Sequence, residues 1–330
     1  MQQPNNRLLD SPPTILPVTG SGPRPLWSVM IPAYNCSKYI KQTLESVLAQ
    51  DRGIENMQIE VIDDHSTDVN LGELVKEIGK GRVTYYCQET NVGNHRNFVT
   101  CLNRSRGHII HMLHGDDTVR PGFYESMERF FNAYPEAVAA FCRHTYMDSE
   151  SRVFFTADLE KKEMGILDNW LSRLLERQRI QTPSIVVKRS VYEQLGGFYG
   201  VLSAEDWEMW LRIAARYPTG YIPEILADYR MHTSIITGRA ILNGENMRDV
   251  KKVMQMCKAY IPGEIYEPAI KKSRKFYSLY AIRMANRIWH ETQNKSGIRA
   301  QIKEALSLWK GIPVYLNIAK IYVKMLIGRT

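Results

Sequence analysis

The feature that most constrains the fold is a regular alternation of apolar runs with amphipathic segments between residues 26 and 113. The apolar runs have the length and composition of buried strands, and the segments between them place apolar residues at helical spacing. The predicted strands are "LWSVMIP", "MQIEVID", "RVTYYC" and "GHIIHML", and the predicted helices are "SKYIKQTLESVLAQ", "LGELVKEIG" and "HRNFVTCLNRS". This alternation predicts an α/β fold with a mostly parallel sheet flanked by helices.

A polar cluster follows each of the four predicted strands: "PAYN", "DDHSTD", "NVGNHRN" and "HGDD". In open α/β sheets, ligands bind outside the carboxyl ends of the strands. The pattern therefore brings five acids to one rim, namely Asp63, Asp64, Asp68, Asp116 and Asp117. A solvated turn that caps a helix explains one acidic cluster. A divalent cation that holds a phosphate explains all of them, so the sequence predicts a Mg²⁺ or Mn²⁺ site.

Length and cysteine content narrow the class of protein. The chain has 330 residues, of which 44% are hydrophobic, which is enough for one large domain or for a catalytic domain with an appendage. No apolar run has the length of a membrane span, and the N-terminus does not resemble a signal peptide, so we expect a cytoplasmic protein. The five scattered cysteines form no C-x-x-C pair, which argues against a disulfide framework and a structural zinc site.

The chain divides into three regions by composition. Residues 1–25 contain six prolines and no apolar period, which predicts a disordered leader. Residues 26–238 are the predicted catalytic domain. Residues 239–330 contain 18 Lys and Arg against 6 Asp and Glu, a net charge of +12, and form a predicted basic helical region. This region lacks the motifs of known nucleic-acid-binding folds, so we do not expect a nucleic-acid partner.

The last segment, "GIPVYLNIAKIYVKMLIGRT", predicts a basic amphipathic helix with Asn317, Lys320 and Lys324 on one side and apolar residues elsewhere. Helices of this kind lie in the interface of anionic membranes, which predicts peripheral contact with the cytoplasmic face. Packing of the helix on its own catalytic domain, or on a second subunit of a homo-oligomer, explains the same pattern. The sequence leaves these alternatives open.

Six stretches, in order, resemble family 2 glycosyltransferases of the GT-A fold: "VMIPAYN", "EVIDDHSTD", "NVGNHRN", "LHGDDTVRP", "LGGFYGVLSAEDWEMWLRIA" and "YRMH". The resemblance implies an inverting hexosyltransferase that moves a sugar from a nucleotide-sugar donor, with a UDP-sugar favoured, to an acceptor hydroxyl. It implies a glycan or lipid-linked acceptor, a role in polysaccharide or glycoconjugate synthesis, and Mn²⁺ or Mg²⁺ as the cofactor.

The resemblance also assigns roles to individual residues. The implied donor-binding residues are Pro32, Ala33, Tyr34, Asn35, Asp64, Arg96, Asp116, Arg230 and His232. The implied metal ligands are Asp116, Asp117 and His232. Asp206 is the implied catalytic base, supported by Glu205, and Trp207 and Trp210 beside it are expected to form a sugar-stacking wall. The first acid of the family's D-x-D motif is replaced by His114, which contacts the donor or only completes the strand end.

Three alternatives to a glycosyltransferase are distinguishable by sequence. A sugar-nucleotide pyrophosphorylase has a Gly-rich basic loop after its first strand, where this chain has "PAYN". A P-loop enzyme is excluded because its phosphate-binding motif is missing. A non-catalytic module that binds a nucleotide sugar or a glycan is favoured only by the missing first acid of D-x-D, and Asp116, Asp117 and Asp206 oppose it.

Overall fold

The computed structural model describes residues 8–20, 22–231 and 236–328 and divides the chain into two compact units. The first, here called the sheet unit, contains every described strand and consists of Met1–Asp168, Ile180–Gly200 and Arg216–Met231. The second, here called the helical unit, consists of Asn169–Arg179, Val201–Ala215 and His232–Thr330. The predicted boundary at residue 238 differs from this division, because two segments from the middle of the chain belong to the helical unit.

The sheet unit contains ten strands and five α-helices among its described residues. The strands are β1 (Trp27–Ala33), β2 (Met57–Asp63), β3 (Thr84–Cys87), β4 (Ile109–Met112), β5 (Thr118–Val119), β6 (Ala139–Met147), β7 (Val153–Thr156), β8 (Gly165–Ile166), β9 (Ile185–Lys188) and β10 (Thr219–Arg230). The helices are α1 (Ser37–Leu48), α2 (Leu71–Gly79), α3 (Asn94–Arg104), α4 (Phe123–Ala133) and α6 (Arg189–Leu195). The helical unit contains α5 (Trp170–Glu176), α7 (Glu205–Ala214), α8 (Ile236–Asn243), α9 (Glu245–Met256), α10 (Gly263–Thr292), α11 (Lys295–Leu308) and α12 (Ile312–Leu326).

The strands form one sheet in the order β3-β2-β1-β4-β9-β6-β10-β5, with β7 beside β6 and β8 beside β10. The first four strands are parallel, as predicted, and β1 is buried along its whole length between β2 and β4. β6 is also parallel to β10, but β9 runs antiparallel to both β4 and β6. The α/β class with a helical C-terminal region is confirmed, and the complete sheet is mixed rather than mostly parallel.

The strands and helices predicted between residues 26 and 113 lie within two residues of the observed ones at each end. The prediction succeeds because β1, β2 and α1 carry unbroken apolar patterns whose residues are buried. Ser37 is not the N-cap of α1, since Cys36 occupies that position. The Ser37 N–H instead donates to Asp68 Oδ2 at 3.0 Å, so an acid from the loop after β2 caps the helix.

The prediction of a disordered leader is wrong for residues 8–20. This segment has no helix or strand, but it packs against the sheet unit, and Ile15 is only 1% exposed. The Gly197 N–H donates to Pro13 O at 2.9 Å, and the Arg189 guanidinium donates to Leu16 O at 3.0 Å. A proline-rich segment without apolar periodicity can thus be fixed by partners far away in the chain, which a local pattern does not reveal.

The helical unit is organised around the 30-residue helix α10, which contacts α5, α11 and α12. Helix α7 contacts α5 and α9, so the middle segments of the chain are integral to this unit. None of the helices described here is both long enough and apolar enough to cross a bilayer.

Candidate functional site

Backbone hydrogen bonds join the loops that follow β1, β2 and β4. The Asp64 N–H donates to Ala33 O at 2.8 Å, and the Gly115 N–H donates to Pro32 O at 3.1 Å. Gly115 is required by this approach, because a Cβ at this position would lie 2.7 Å from Cys36 Sγ. The carboxyl ends of these strands therefore meet at one rim, as the sequence predicts.

Of the four residues predicted to bind the donor at the end of β1 and directly after it, two are buried and two are exposed. Pro32 and Ala33 are buried and hold the neighbouring loops through their carbonyl groups. The Tyr34 side chain is 51% exposed, which leaves a ring face for a ligand. Asn35 is also exposed, has a positive φ of 50°, and accepts the Thr67 N–H on Oδ1 at 2.8 Å.

The three acids of the loop after β2 have structural partners. Asp63 accepts the Tyr85 hydroxyl at 2.6 Å and the Ser66 hydroxyl at 2.6 Å. Asp64 is 4% exposed, and its carboxylate accepts the backbone N–H groups of Val92 at 2.7 Å and Gly93 at 2.9 Å. Since Asp68 caps α1, these carboxylates fix loops at the rim. A cation is therefore not needed to explain these three of the five acids that the sequence brings to the rim.

The acids after β4 form a different kind of group. One potential ligand atom each from His114, Asp116 and Asp117 lies within 4.8 Å of the other two. His114 and Asp116 are partly exposed, and Asp117 is fully buried. Ligands lie about 2.0–2.6 Å from a hard divalent cation, so two ligands on opposite sides of one ion are about 4–5 Å apart. The three side chains are therefore spaced to bind a single cation.

The Asp117 carboxylate is buried with only one of its oxygens hydrogen-bonded. Oδ1 accepts the Arg230 backbone N–H at 2.8 Å, whereas Oδ2 has no hydrogen-bond partner among the described residues. Burial, together with the charge of Asp116, raises the pKa of Asp117 well above its usual value. A buried acceptor without a partner is costly, and a cation at Oδ2 would remove that cost.

Arg230 is a buried residue that fixes the turn of Asp116 and Asp117 and does not face a donor. Its side chain is 1% exposed and lies over the Tyr39 ring, 4.5 Å from the centroid. Its guanidinium donates to Asp116 O at 2.7 Å, to Gln42 Oε1 at 2.7 Å and to Asp148 O at 3.1 Å. The prediction that Arg230 contacts the donor diphosphate is corrected: protein acceptors occupy its buried guanidinium, which ties the Asp116–Asp117 turn to α1 and to the end of β6.

Arg96 and His232 are the remaining two residues predicted to bind the donor. Arg96 is exposed in the first turn of α3. His232, predicted to bind both donor and metal, lies outside the described residues.

The predicted catalytic acids lie in the helical unit, at the start of α7. Asp206 Oδ2 accepts the Gln178 side-chain amide at 2.6 Å, and Oδ1 accepts the Trp207 N–H at 2.7 Å. Burial raises the pKa of Asp206 to about 7 despite these two donors. Burial and the charge of Asp206 raise the pKa of Glu205 well above its usual range. A carboxyl group with a pKa of about 7 is partly ionised at neutral pH, which suits Asp206 to accept a proton.

The two tryptophans of α7 do not form a sugar-stacking wall. Trp207 is 1% exposed and Trp210 is 2% exposed. The Trp207 indole N–H donates to Leu174 O at 2.9 Å, and its ring packs against Tyr277 of α10. These side chains fix α7 within the helical unit, because the apolar spacing that suggested a sugar surface also describes a core-facing helix.

Comparisons with known proteins agree with this architecture. The profile of Glycosyl transferase family 2 matches residues 28–196. An uncharacterized glycosyltransferase from Haemophilus influenzae is 24% identical over 289 residues, covering 80% of this chain and 83% of that protein. A S. aureus TarS structure in complex with UDP-GlcNAc has a TM-score of 0.61 at 15% identity, covering 86% of this chain and 81% of that one.

A second solved structure is the mannosyltransferase PcManGT from Pyrobaculum calidifontis in complex with GDP-Man and Mn²⁺. Its TM-score is 0.57 at 15% identity, covering 97% of this chain and 84% of that one. At such low identity these two likenesses establish the fold alone, and the predicted GT-A class is confirmed. Since the family match spans just over half of the sequence, the chain belongs to glycosyl transferase family 2.

Two residues of these sites were not assigned a role from the sequence. The sequence left two roles open for His114, contact with the donor or completion of the strand end, but the structure places it in the potential metal-binding group. The "HGDD" spacing carried that signal, because His114 replaces an acid. Gln178 hydrogen-bonds Asp206 from a segment 28 positions earlier, and no local pattern connects the two.

We predict that Arg230→Met lowers the free energy of unfolding by several kcal/mol, because each buried acceptor left without its partner costs about 1–3 kcal/mol. Thermal and denaturant unfolding measure this effect. Arg129→Met is the matched control, since that arginine is 58% exposed and its nearest acid, Glu224, is 3.8 Å away. A variant Arg230→Met with parental stability but strongly reduced nucleotide affinity would show instead that the guanidinium contacts the donor.

Proposed function

We propose that this glycosyltransferase is a metal-dependent, inverting enzyme that transfers a hexose from a nucleotide-sugar donor, with a UDP-sugar favoured, to an acceptor hydroxyl. The observation that carries the proposal is Asp117 Oδ2, which is buried at the rim of the sheet beside His114 and Asp116 and has no hydrogen-bond partner among the residues that the structure describes. The family match supports the reaction class, and the UDP-GlcNAc complex of the TarS likeness favours a UDP-sugar.

The residues at the rim fit a divalent cation, because they combine a fully buried carboxylate oxygen that needs a partner with two partly exposed ligands. His114, Asp116 and Asp117 would hold Mn²⁺ or Mg²⁺. When bound, such an ion would stabilise the negative charge that develops on the departing nucleoside diphosphate. Tyr34, exposed after β1, is our choice for stacking on the donor base.

We assign the role of catalytic base, which removes the proton of the acceptor hydroxyl, to Asp206. The acceptor oxygen attacks the anomeric carbon, the bond from that carbon to the diphosphate oxygen breaks, and the acceptor proton passes to the Asp206 carboxylate. A single displacement of this kind inverts the configuration at the anomeric carbon. A base whose pKa lies near 7 is well matched to neutral pH.

Glu205 and Gln178 support this base in different ways. The Gln178 amide donates to Asp206 Oδ2 and favours its ionised form. Gln178 is itself held, because its backbone N–H donates to the Tyr277 hydroxyl at 3.0 Å. Asp249 accepts the backbone N–H groups of Leu202 and Ser203, which fixes the loop before α7. Burial and the charge of Asp206 raise the pKa of Glu205 well above its usual range, which favours its protonated form.

We expect purified protein with Mn²⁺ to release nucleoside diphosphate from one nucleotide sugar in a panel that includes UDP-GlcNAc and GDP-Man. EDTA should abolish release, and added Mn²⁺ or Mg²⁺ should restore it. Product release also separates a transferase from a binding module, which binds donor without releasing nucleotide. Saturable donor binding without turnover, tested across acceptor mixtures, would favour the binding module, and turnover unchanged by EDTA would contradict the metal assignment.

We predict that Asp206→Asn slows sugar transfer by about 10²- to 10⁴-fold, the usual contribution of a positioned base. In the parent, the transfer rate should fall as the pH drops through about 7, because the carboxylate becomes protonated. Gln178→Leu removes a hydrogen bond that favours the carboxylate, so it should move this fall to higher pH. The measurements are initial transfer rates between pH 5 and 9 and UDP affinity.

Two results bear on the choice of carboxylate. Glu205→Gln is the matched control and should keep most of the transfer rate, because a protonated carboxyl and an amide are similar in size and are both neutral. A near-parental transfer rate in Asp206→Asn, together with an inactive Glu205→Gln, would show that Glu205 rather than Asp206 is the catalytic base. UDP affinity in the presence of Mn²⁺ should stay parental in both variants, because neither residue belongs to the group at Asp117.

We also propose that the acceptor is a glycan or a lipid-linked sugar and that α12 contacts the cytoplasmic face of an anionic membrane. Only Val314 and Ile321 of this helix are buried. Seven large apolar side chains in and beside the helix are exposed: Ile312, Tyr315, Leu316, Tyr322, Val323, Leu326 and Ile327. No acid follows Glu304, while Lys310, Lys320, Lys324 and Arg329 do.

The orientation of α12 favours a lipid surface over ordinary solvent exposure. Lys324, on the predicted polar side, donates to Asn286 of α10 at 2.9 Å, so part of that side faces the helical unit. The apolar residues occupy the outer face, where tyrosines and lysines beside them suit the headgroup region. Each Lys or Arg near an anionic surface contributes about 1 kcal/mol. A second copy of the chain is the competing occupant.

We expect the full chain to float with vesicles of phosphatidylcholine and phosphatidylglycerol and to float less with phosphatidylcholine alone. The triple variant Leu316→Gln, Val323→Gln, Leu326→Gln should lose flotation, because three exposed apolar contacts are removed. Ile54→Gln is the control, since Ile54 is 72% exposed in the sheet unit. A parent that does not float contradicts membrane contact. An oligomer, measured by sedimentation, that dissociates only in the triple variant would identify a subunit interface.

A further inference from the structure

We propose that His114 is a direct nitrogen ligand of the metal and that this imidazole makes the site prefer Mn²⁺ to Mg²⁺. The inference rests on the proposed metal-dependent function and concerns a position at which this chain departs from the D-x-D pattern. It gives "HGDD" a chemical consequence: one oxygen ligand of the acidic motif is exchanged for an imidazole.

The distances place His114 in the ligand sphere rather than in an ion pair. Its Nδ1 is 3.7 Å from Asp117 Oδ2, which is too long for a hydrogen bond. Neighbouring ligands on one octahedral cation, each about 2.1 Å from the ion, are separated by about 3 Å. If the distance between Nδ1 and Oδ2 shortens slightly when a cation binds, the two atoms become adjacent ligands of that cation.

Both side chains contain a buried atom without a hydrogen-bond partner among the described residues. Asp117 Oδ2 is fully buried and has no hydrogen-bond partner in the described part of the chain. The His114 side chain is partly buried, and its Nε2 also has no hydrogen-bond partner among the described residues. A cation bound by Asp117 Oδ2 and the imidazole would give the buried carboxylate oxygen the partner that it lacks.

The imidazole is held in one orientation by packing. The Phe98 ring of α3 stacks on His114, with centroids 5.5 Å apart and planes within 9° of parallel. Phe98 is itself fixed by edge contact with Phe198 at 5.3 Å. A ligand whose ring plane is set before binding loses less side-chain entropy when the cation arrives. This stacking pair has no evident use if His114 only completes a strand end.

The choice of metal follows from ligand chemistry. Mg²⁺ strongly favours oxygen ligands in near-ideal octahedral geometry, and imidazole favours transition metals. A site with one nitrogen and two carboxylates therefore binds Mn²⁺ better than Mg²⁺. Replacing His114 by Asp restores an all-oxygen group and should reduce this preference.

Electron spin echo envelope modulation of Mn²⁺ bound to the full chain, with and without UDP, detects a coordinated imidazole nitrogen directly. We expect nitrogen modulation in the parent and its loss in His114→Asp and His114→Gln. His108→Gln is the matched control, because that histidine is exposed near the start of β4 and should leave the signal intact. Competition with Mg²⁺ then measures selectivity: His114→Gln should raise the Mn²⁺ Kd by about 10-fold or more, and His114→Asp should narrow the difference between the two metals.

The outcomes separate this inference from the proposed function. Bound Mn²⁺ without nitrogen modulation overturns the ligand role of His114 and leaves metal-dependent transfer standing. Modulation that persists in His114→Asp but is lost in His232→Gln assigns the nitrogen to His232 and also overturns the inference. No Mn²⁺ binding by the parent, with or without UDP, contradicts the proposed metal dependence itself. Circular dichroism of each variant establishes that a lost signal does not reflect unfolding.

Discussion

The site depends on one buried guanidinium. Asp116 and Asp117 are adjacent in sequence, and two neighbouring carboxylates at the end of a buried strand repel each other unless positive charge compensates them. Arg230 supplies that charge, and its guanidinium and backbone N–H bind the turn at two points, Asp116 O and Asp117 Oδ1. The same side chain reaches α1 and the end of β6, so the position of the metal group is coupled to three separate parts of the sheet unit.

How much the sequence predicts depends on the range of the interaction. The strands and helices before residue 113 were predictable because burial imposes a period on neighbouring residues. The acids at the end of β2 were not predictable in this way, although Asp63, Asp64 and Asp68 carry the same side chain as Asp117. They are engaged by the Tyr85 hydroxyl of β3, the Gly93 N–H and the Ser37 N–H of α1, respectively. Only their partners distinguish an acid that fixes a loop from one that can bind a cation, and the partners are distant in sequence.

The segment at the start of α7 illustrates the same limit in a second way. The start of α7 was predictable from Glu205 and Asp206, because acids favour helix N-termini. The environment that raises the pKa of Asp206 to about 7 comes from burial within the helical unit, with Gln178 contributed by a separate segment. The apolar spacing of α7 placed Trp207 and Trp210 beside Asp206, but it did not reveal that both tryptophans are core residues.

The chain passes from one unit to the other five times, at residues 168/169, 179/180, 200/201, 215/216 and 231/232. Synthesis proceeds from the N-terminus, so α5 and α7 leave the ribosome well before α9 and α10, the helices they pack against. The parts of α5 and α7 that pack against α9 and α10 therefore stay exposed until those two helices have been synthesised. A nascent chain stalled after α7 exposes tryptophans that are buried in the complete fold. Aggregation therefore competes with folding during synthesis, before the stability of the complete fold is established.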